Sequence, residues 1–221
     1  MPFALTADHC AFFSKNQFIE FEELLPQTQV ATLKKDVEEA LAARLKIPVA
    51  QLGKRPASEL FLAGYDLWRE KDAIRKTTQK NVLIKLALEL FQTQRLRYAF
   101  DQIIYTTQGI PSSLSAPCTL QEISCLHPLT GALILPLEDL THPLPFFPLP
   151  LRSGSGLFIS PSLSIPWPEL FATPHLHFLM IVYGMKKTYF RPDTRDPHAS
   201  QLKKLGYAFN EPLSNSLHPL F

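Results

Sequence analysis

Apolar residues recur at helical spacing in three segments of the first half of the chain. In the first segment they repeat every three or four positions, at Val30, Leu33, Val37, Leu41 and Leu45. Positions with this period share one face of a helix, so the pattern predicts a helix over 30–45 that ends before Pro48. Two further helices are predicted, over 58–74 with Ser58 as N-cap and over 78–94 with a broad apolar face.

Short apolar runs in the second half of the chain predict strands. They fall at 96–105, 119–126, 132–137, 156–160 and 175–183. A last short helix is predicted near the end, with Asp196 as N-cap, Pro197 in its first turn and Gly206 just beyond its last turn. Helices followed by short strands predict an α+β fold whose β part is a sandwich or a barrel.

Proline content divides the chain into two parts. Sixteen of the 20 prolines lie in residues 111–221, and proline interrupts both helices and central strands. We expect a single domain over 1–221, with a mainly helical part, 1–95, and a proline-rich β-barrel part, 96–221. The net charge of +2 is too small to predict a nucleic acid or an anionic membrane as partner.

Cysteine usage and the opening segment bear on the compartment. The three cysteines, an odd number, include no C-x-x-C pair, which is typical of a reducing compartment. Residues 1–13 lack the basic start of a signal peptide, and no apolar run is long enough to cross a bilayer. These observations predict a cytoplasmic protein.

Two segments resemble a known enzyme superfamily. The segment F-S-K-N-Q-F-I-E-F-E-E-L-L, Phe13 to Leu25, precedes an amphipathic helix and is similar to the N-terminus of phytanoyl-CoA hydroxylase-like proteins. These belong to the Fe(II)/2-oxoglutarate-dependent oxygenase superfamily. The stretch G-S-G-L-F-I-S-P-S-L-S, Gly154 to Ser164, is similar to the family's G-x-L-x-x-I-P-G-S-H. The resemblance implies a double-stranded β-helix (jelly-roll) barrel with N-terminal flanking helices.

The resemblance also implies an iron site, which this sequence does not supply in its standard form. Such oxygenases bind Fe(II) through two histidines and a carboxylate, and leave positions open for 2-oxoglutarate and oxygen. The first His and the carboxylate form an H-x-[D/E] motif on one strand. None of the seven histidines here is followed two positions later by Asp or Glu. The resemblance, together with the missing motif, therefore implies a degenerate bacterial member of the superfamily, for which we expect no cofactor.

The nearest substitutes for the missing ligands are Asp101, His175 and His177. The segment Tyr98-Ala99-Phe100-Asp101 would put Ala99 where the first histidine belongs and keep Asp101 as the carboxylate. His175 and His177 would share one face of a later strand, because alternate residues of a strand point the same way. Together the three would form an unconventional iron site. The alternative is that Asp101 is a capped or solvated carboxylate at a strand end and that both histidines are half-buried and bond to their neighbours.

Basic residues downstream complete this hypothesis. Lys186, Lys187 and Arg191 are candidates for binding the far carboxylate of 2-oxoglutarate, although a lysine pair after Gly184 is also typical of a solvated turn. No nucleophile elbow or phosphate-binding loop is present. The segment 69–97 contains eight basic and three acidic residues and could contact phosphates, but no helix-turn-helix or zinc module accompanies it.

Three functional hypotheses follow. The leading one is an oxygenase-fold protein whose iron ligands are not retained, acting as a binding or regulatory protein for an unknown small molecule or protein. The first alternative is an unconventional 2-oxoglutarate-dependent dioxygenase that uses Fe(II). The second is a metal-responsive DNA-binding regulator.

Overall fold

The computed structural model describes residues 5–193 and 195–221, in which a six-stranded sheet is covered by helices on one face and by short helices and long connecting segments on the other. Residues 1–4, where the segment tested for a signal peptide begins, lie outside the described residues, as does Thr194. The helices are α1 (Ala7–Asn16), α2 (Gln27–Leu45), α3 (Ala57–Ala63), α4 (Asp72–Thr78), α5 (Asn81–Leu90), α6 (Leu120–Ile123), α7 (Trp167–Ala172) and α8 (Ala199–Lys204). The strands are β1 (Phe18–Phe21), β2 (Leu96–Tyr105), β3 (Leu126–Pro136), β4 (Gly156–Ile159), β5 (His177–Phe190) and β6 (Glu211–Pro212).

All strand pairs are antiparallel, in the order β1-β4-β3-β5-β2, and β6 pairs with β5. The α+β architecture is therefore confirmed. Within the described residues β1 and β2 do not pair with each other, so the sheet is open and the predicted closed jelly-roll barrel is not confirmed. The segment 137–155, between β3 and β4, carries Pro143, Pro145, Pro148 and Pro150. Proline has no backbone N–H for a strand ladder, which is why this segment adds no strand.

The sheet has two buried faces. Its helix face packs against α2, α4 and α5, through side chains such as Leu33, Ile74 and Leu86. Its loop face is covered by α6, α7 and the long connecting segments, with Trp167, Phe178 and Phe190 at the centre. The central strand β5 alternates between the two faces, so its residues 177–184 are buried throughout. A strand buried on both faces has the continuous apolar sequence seen here.

Local periodicity predicted several elements correctly. Strand β2 has the predicted bounds, and β3 and β4 lie where strands were predicted. Helix α2 begins three residues before the predicted start, and α5 lies inside the predicted range 78–94. The capping box of Thr6 and His9 begins helix α1, which the apolar pattern did not indicate because this helix has no buried residues.

The helix predicted over 58–74 is interrupted. Helix α3 ends at Ala63, and Asp66 adopts a left-handed conformation with φ 56° before α4 begins at Asp72. Gly64 lies against β2, where an added Cβ would be 2.0 Å from Cγ2 of Ile103. The close approach to the sheet ends the helix, a tertiary effect that the apolar period does not contain.

The strand predicted over 119–126 was wrong in its first part. Thr119 accepts a hydrogen bond from the backbone N–H of Glu122, whose carboxylate accepts from the N–H of Thr119. This capping box starts the short helix α6, and β3 begins only at Leu126. The C-terminal helix is confirmed as α8, but its N-cap is His198, two residues later than predicted. No helix in the described part of the chain combines the length and the apolar character that crossing a bilayer requires.

Candidate functional site

Asp101 lies on the helix face of β2 and is fully buried. Its Oδ1 accepts a hydrogen bond from the backbone N–H of Leu67 at 2.9 Å, and its Oδ2 accepts from the N–H of Trp68 at 3.1 Å. The hydroxyl of Tyr98 donates to Oδ2 at 3.2 Å. The carboxylate therefore caps the turn between α3 and α4.

A β-bulge explains why Asp101 does not share a face with Ala99. The register between β2 and β5 shifts between Tyr98 and Phe100, so that Ala99 is the extra residue. Ala99 and Phe100 both belong to the loop-face core, while Asp101 turns to the helices. A bulge breaks the two-residue alternation on which the predicted ligand pair rested.

Asp101 should give stability a distinct pH dependence. Burial, and to a lesser extent repulsion by Asp66, raise the pKa of Asp101 to about 7. The unfolded chain has lost this proton above a pKa of about 3.9. The folded state therefore binds more protons between about pH 4 and 7, and the group's contribution to stability is lost as the pH rises through that window.

We expect the free energy of unfolding of the wild type to fall, relative to that of Asp101→Asn, between pH 4.5 and 7.5. His198 and His218 act in the opposite sense, since burial lowers the pKa of each to about 3 and their contribution is lost as the pH falls below about 6.5. Both proteins contain His198 and His218, so the difference between their free energies of unfolding isolates the contribution of Asp101. Urea titrations at each pH measure it, and a difference that does not change with pH would contradict this assignment.

His177 and His175 lie at the start of β5, away from Asp101. Asp101 is opposite Ile181, four residues along β5 from His177, or about 13 Å at about 3.3 Å per residue. The His177 ring stacks on Tyr105 with centroids 3.6 Å apart, and its Nδ1 lies 3.4 Å from Oε1 of Glu138. His175 precedes the strand in a left-handed conformation and is exposed. The structure thus does not bring the three predicted ligands together.

The predicted cosubstrate residues are also remote from these histidines. Lys186 and Lys187 are exposed in an irregular stretch of β5, where five residues from Gly184 to Tyr189 span only two residues of β3. Gly184, before this stretch, already lies about 23 Å along the strand from His177. Arg191 is exposed just beyond β5, and its Nε donates to the side chain of Asn210 at 3.2 Å. None of the three faces Asp101 or His177.

The basic segment 69–97 does not form a free cationic stripe. Arg69 pairs with Asp66 at 2.7 Å, Lys71 with Asp36 at 2.7 Å, and Arg75 with Asp72 at 2.5 Å. Arg97 is buried, and its Nη1 donates to the carbonyl oxygen of His218 at 2.7 Å. Lys80 donates to the side chain of Gln29, so five of the eight basic residues that supported the DNA-binding alternative are engaged within the protein.

The side chains present do not fit the iron centre that the superfamily implies. Across residues 5–193 and 195–221, no three His, Cys, Asp or Glu side chains are grouped so that they could hold a metal ion. On the loop face, Asp196 and His198 are close in sequence, but Asp196 accepts from the backbone N–H groups of Cys125 at 2.7 Å and His198 at 2.8 Å. One neutral imidazole and one capping carboxylate fall short of the two imidazoles and the free carboxylate required.

A large cleft opens beside β1. It has a volume of about 1190 Å³ and lies between the end of β1 and the segment 137–155. Its lining carries four carboxylates, from Glu20, Glu22, Glu23 and Asp139, and one cation, Arg152, which pairs with Asp139. Leu144 and Phe147 add apolar surface. Burial, and to a lesser extent the neighbouring Glu22, raise the pKa of Glu20. Such a cleft favours a ligand with a cationic group and an apolar body.

Hydrogen bonds fix the wall of the cleft formed by the segment 137–155 to the start of α2. Oδ1 of Asp139 accepts from the backbone N–H of Ser153 at 2.8 Å, and Gln27 donates to the carbonyl oxygen of Ser153. The backbone N–H of Leu25 donates to the carbonyl oxygen of Gly154 at 2.9 Å. This cleft was not predicted from the sequence. The signals that could have indicated it are the acidic residues within 20–23 and the four prolines of the segment 137–155.

Comparisons with known proteins identify the fold. No protein-family model and no curated protein sequence matches the chain. The non-haem α-ketoglutarate-dependent carbocyclase SnoK from nogalamycin biosynthesis superposes with a TM-score of 0.71, at 15% identity, over 98% of this chain and 96% of SnoK. The epimerase SnoN, in complex with Fe³⁺, α-ketoglutarate and nogalamycin RO, gives 0.68 at 17% identity, over 96% of this chain and 97% of SnoN. CT296 from Chlamydia trachomatis gives 0.51 at 15% identity, over 84% of this chain and 99% of CT296.

These similarities define a class by its fold alone. The chain has the fold of α-ketoglutarate (2-oxoglutarate)-dependent non-haem enzymes, as the resemblance at Phe13–Leu25 and Gly154–Ser164 implied. Function belongs to the site rather than to the scaffold, so the chemistry of SnoK and SnoN does not transfer with the fold.

Proposed function

We propose that this chain is a non-enzymatic binding or regulatory protein built on the oxygenase fold. The observation that carries the proposal is the position of the one carboxylate expected to bind iron. Asp101 turns away from the loop face and caps the N–H groups of Leu67 and Trp68, so its carboxylate oxygens are bonded on the helix face rather than directed toward His175 or His177. We further assign the chain to the phytanoyl-CoA hydroxylase-like branch, as a cytoplasmic bacterial protein that has lost the standard iron ligands.

The cleft beside β1 is the proposed place of binding. Its volume is in the range of small-molecule sites or slightly above it, whereas the loop face keeps a cavity of only about 20 Å³. Phe147 and Leu149 supply apolar surface, and the carboxylates at 20–23 supply charge. An organic cation with an apolar body matches both kinds of surface in the cleft.

Calorimetry with Fe(II) under anaerobic conditions, followed by 2-oxoglutarate, tests this function. We expect no stoichiometric metal binding and no strengthening by 2-oxoglutarate, because the donor groups do not converge. His177→Ala and the matched variant His142→Ala, which changes an exposed loop histidine, should behave like the wild type.

A different outcome would identify an unconventional oxygenase. Stoichiometric Fe(II) binding that 2-oxoglutarate strengthens, and that His177→Ala abolishes while His142→Ala does not, would overturn the proposal. The search would then turn to a substrate rather than to a binding partner.

A further inference from the structure

A small cavity on the loop face contains polar atoms with no visible partner. It has a volume of about 20 Å³ and lies between β2, β5, α7 and the segment 196–198. Most of its lining is apolar, from residues such as Phe100, Leu114 and Met180. Gln102, Trp167 and His198 are the polar side chains of interest here, and all three are more than nine-tenths buried.

Gln102 presents an unused acceptor to this cavity. Its Nε2 donates to the carbonyl oxygens of Phe61 and Ile103, each at 2.9 Å, and these two bonds determine which end of the amide is nitrogen. Its Oε1 has no hydrogen-bond partner among the described residues. The side chain is 1% exposed, so bulk water does not satisfy this oxygen.

His198 contributes two more unpaired atoms. Its ring stacks on Tyr65 with centroids 4.1 Å apart, and neither Nδ1 nor Nε2 has a partner in the described part of the chain. Burial, followed by the charge of Arg44, lowers the pKa of His198 to about 3. The imidazole is therefore neutral at pH 7 and offers one donor and one acceptor.

Trp167 adds a further donor. Trp167 also lines the cavity, and its indole Nε1 lies near the thiol of Cys118, which is only a weak acceptor. A buried polar group without a partner costs about 1–3 kcal/mol, and native proteins rarely leave several in one place. A bound molecule that both donates and accepts would satisfy these atoms together.

We propose that this cavity binds a neutral, water-sized hydrogen-bonding group between Gln102 and His198. A volume of about 20 Å³ is enough for one water molecule, which needs two to four polar partners. The Oε1 of Gln102 accepts from the bound group, and His198 donates to it or accepts from it. Nearby Asp196 and the Gln102 oxygen disfavour an anion, while the apolar lining disfavours a cation. The occupant is a water molecule, or a hydroxyl or amide group of a larger ligand.

A high-resolution crystal structure of the wild-type protein tests occupancy directly. We expect density within hydrogen-bond distance, about 2.7–3.2 Å, of both Gln102 Oε1 and one ring nitrogen of His198. An isolated peak identifies solvent, and connected density identifies the group of a larger ligand that remained bound through purification. A cavity without density would overturn the proposal.

The variant His198→Phe gives a second, independent readout. Phenylalanine keeps the ring stack on Tyr65 but removes both nitrogens. If the site is occupied, the variant leaves Gln102 and the bound group with fewer partners, and the thermal midpoint should fall by about 3–6 °C. If the cavity is dry, the variant removes two unsatisfied polar atoms and the midpoint should rise, which would contradict the proposal.

A matched control uses another buried histidine that has a partner. Nδ1 of His218 lies 2.8 Å from the carbonyl oxygen of Ala99, so its loss removes a direct protein–protein hydrogen bond. His218→Phe should lower the midpoint and leave the density between Gln102 and His198 unchanged. If this density is lost in His218→Phe too, its loss in His198→Phe would not show that His198 binds the group. Neither readout depends on iron or on the cleft beside β1, so failure here is distinct from failure of the proposed function.

Discussion

Replacing Asp101 by Ala is expected to lower the free energy of unfolding by about 3 kcal/mol at pH 7. The change removes the acceptor for the backbone N–H groups of Leu67 and Trp68 and for the hydroxyl of Tyr98. All of these donors are buried, so water does not replace the lost bonds without opening the structure. Relief from burying a partly charged carboxylate offsets part of the loss. Urea denaturation followed by circular dichroism measures the result.

The matched control is Asp72→Ala. Asp72 pairs with Arg75 at 2.5 Å, but its side chain is 72% exposed, and surface pairs of this kind contribute little. We expect little change in stability for this variant. An Asp101→Ala protein as stable as Asp72→Ala would contradict the structural role of Asp101 and reopen its assignment as a metal ligand.

Gly154→Ala is expected to cost about 3 kcal/mol and to loosen the wall of the cleft. Gly154 has φ +91°, a conformation that alanine adopts only with strain. An added Cβ would also lie 2.5 Å from the backbone oxygen of Leu25. The obstacle is main chain rather than a flexible side chain, so the hydrogen bond from the Leu25 N–H to Gly154 must lengthen or break. Limited proteolysis should then cut within 137–155 faster than in the wild type.

Gly206→Ala separates the two causes of this loss. Gly206 has φ +95°, similar to that of Gly154, but nothing lies within 4 Å of an added Cβ. Its variant should therefore cost only the conformational strain, about 1 kcal/mol, and leave the cleft wall intact. Equal losses for the two variants would show that contact with Leu25 contributes nothing.

The local pattern was most informative where a segment is long and buried. Strand β2 was predicted with its observed bounds, and α2 within three residues, because their apolar positions follow from burial against one continuous core. The apolar pattern gave a wrong prediction where side-chain capping determines the local structure. The apolar residues near 119–126 predicted a strand, but Thr119 and Glu122 form a capping box that begins α6.

Candidate site residues were harder to predict than elements. Asp101 and His177 were predicted to lie on strands, which they do, and both are buried. Their separation along β5 depends on the register between β2 and β5, which a single sequence does not contain. His198 was assigned no role from sequence, since an isolated histidine before a helix carries no pattern.

Two properties of this protein follow from sequence alone: its α+β architecture and the lack of an H-x-[D/E] pair. Both depend only on which residue types occupy neighbouring positions in the chain, and the sequence states these directly. The face occupied by Asp101, the interruption at Gly64 and the position of Gln102 and His198 in the lining of one cavity depend on long-range packing instead. A one-residue bulge at Ala99 reverses the direction of the side chains that follow it, and the sheet register brings together residues far apart in the chain. Those contacts are set by the free energy of the whole core rather than by any local segment.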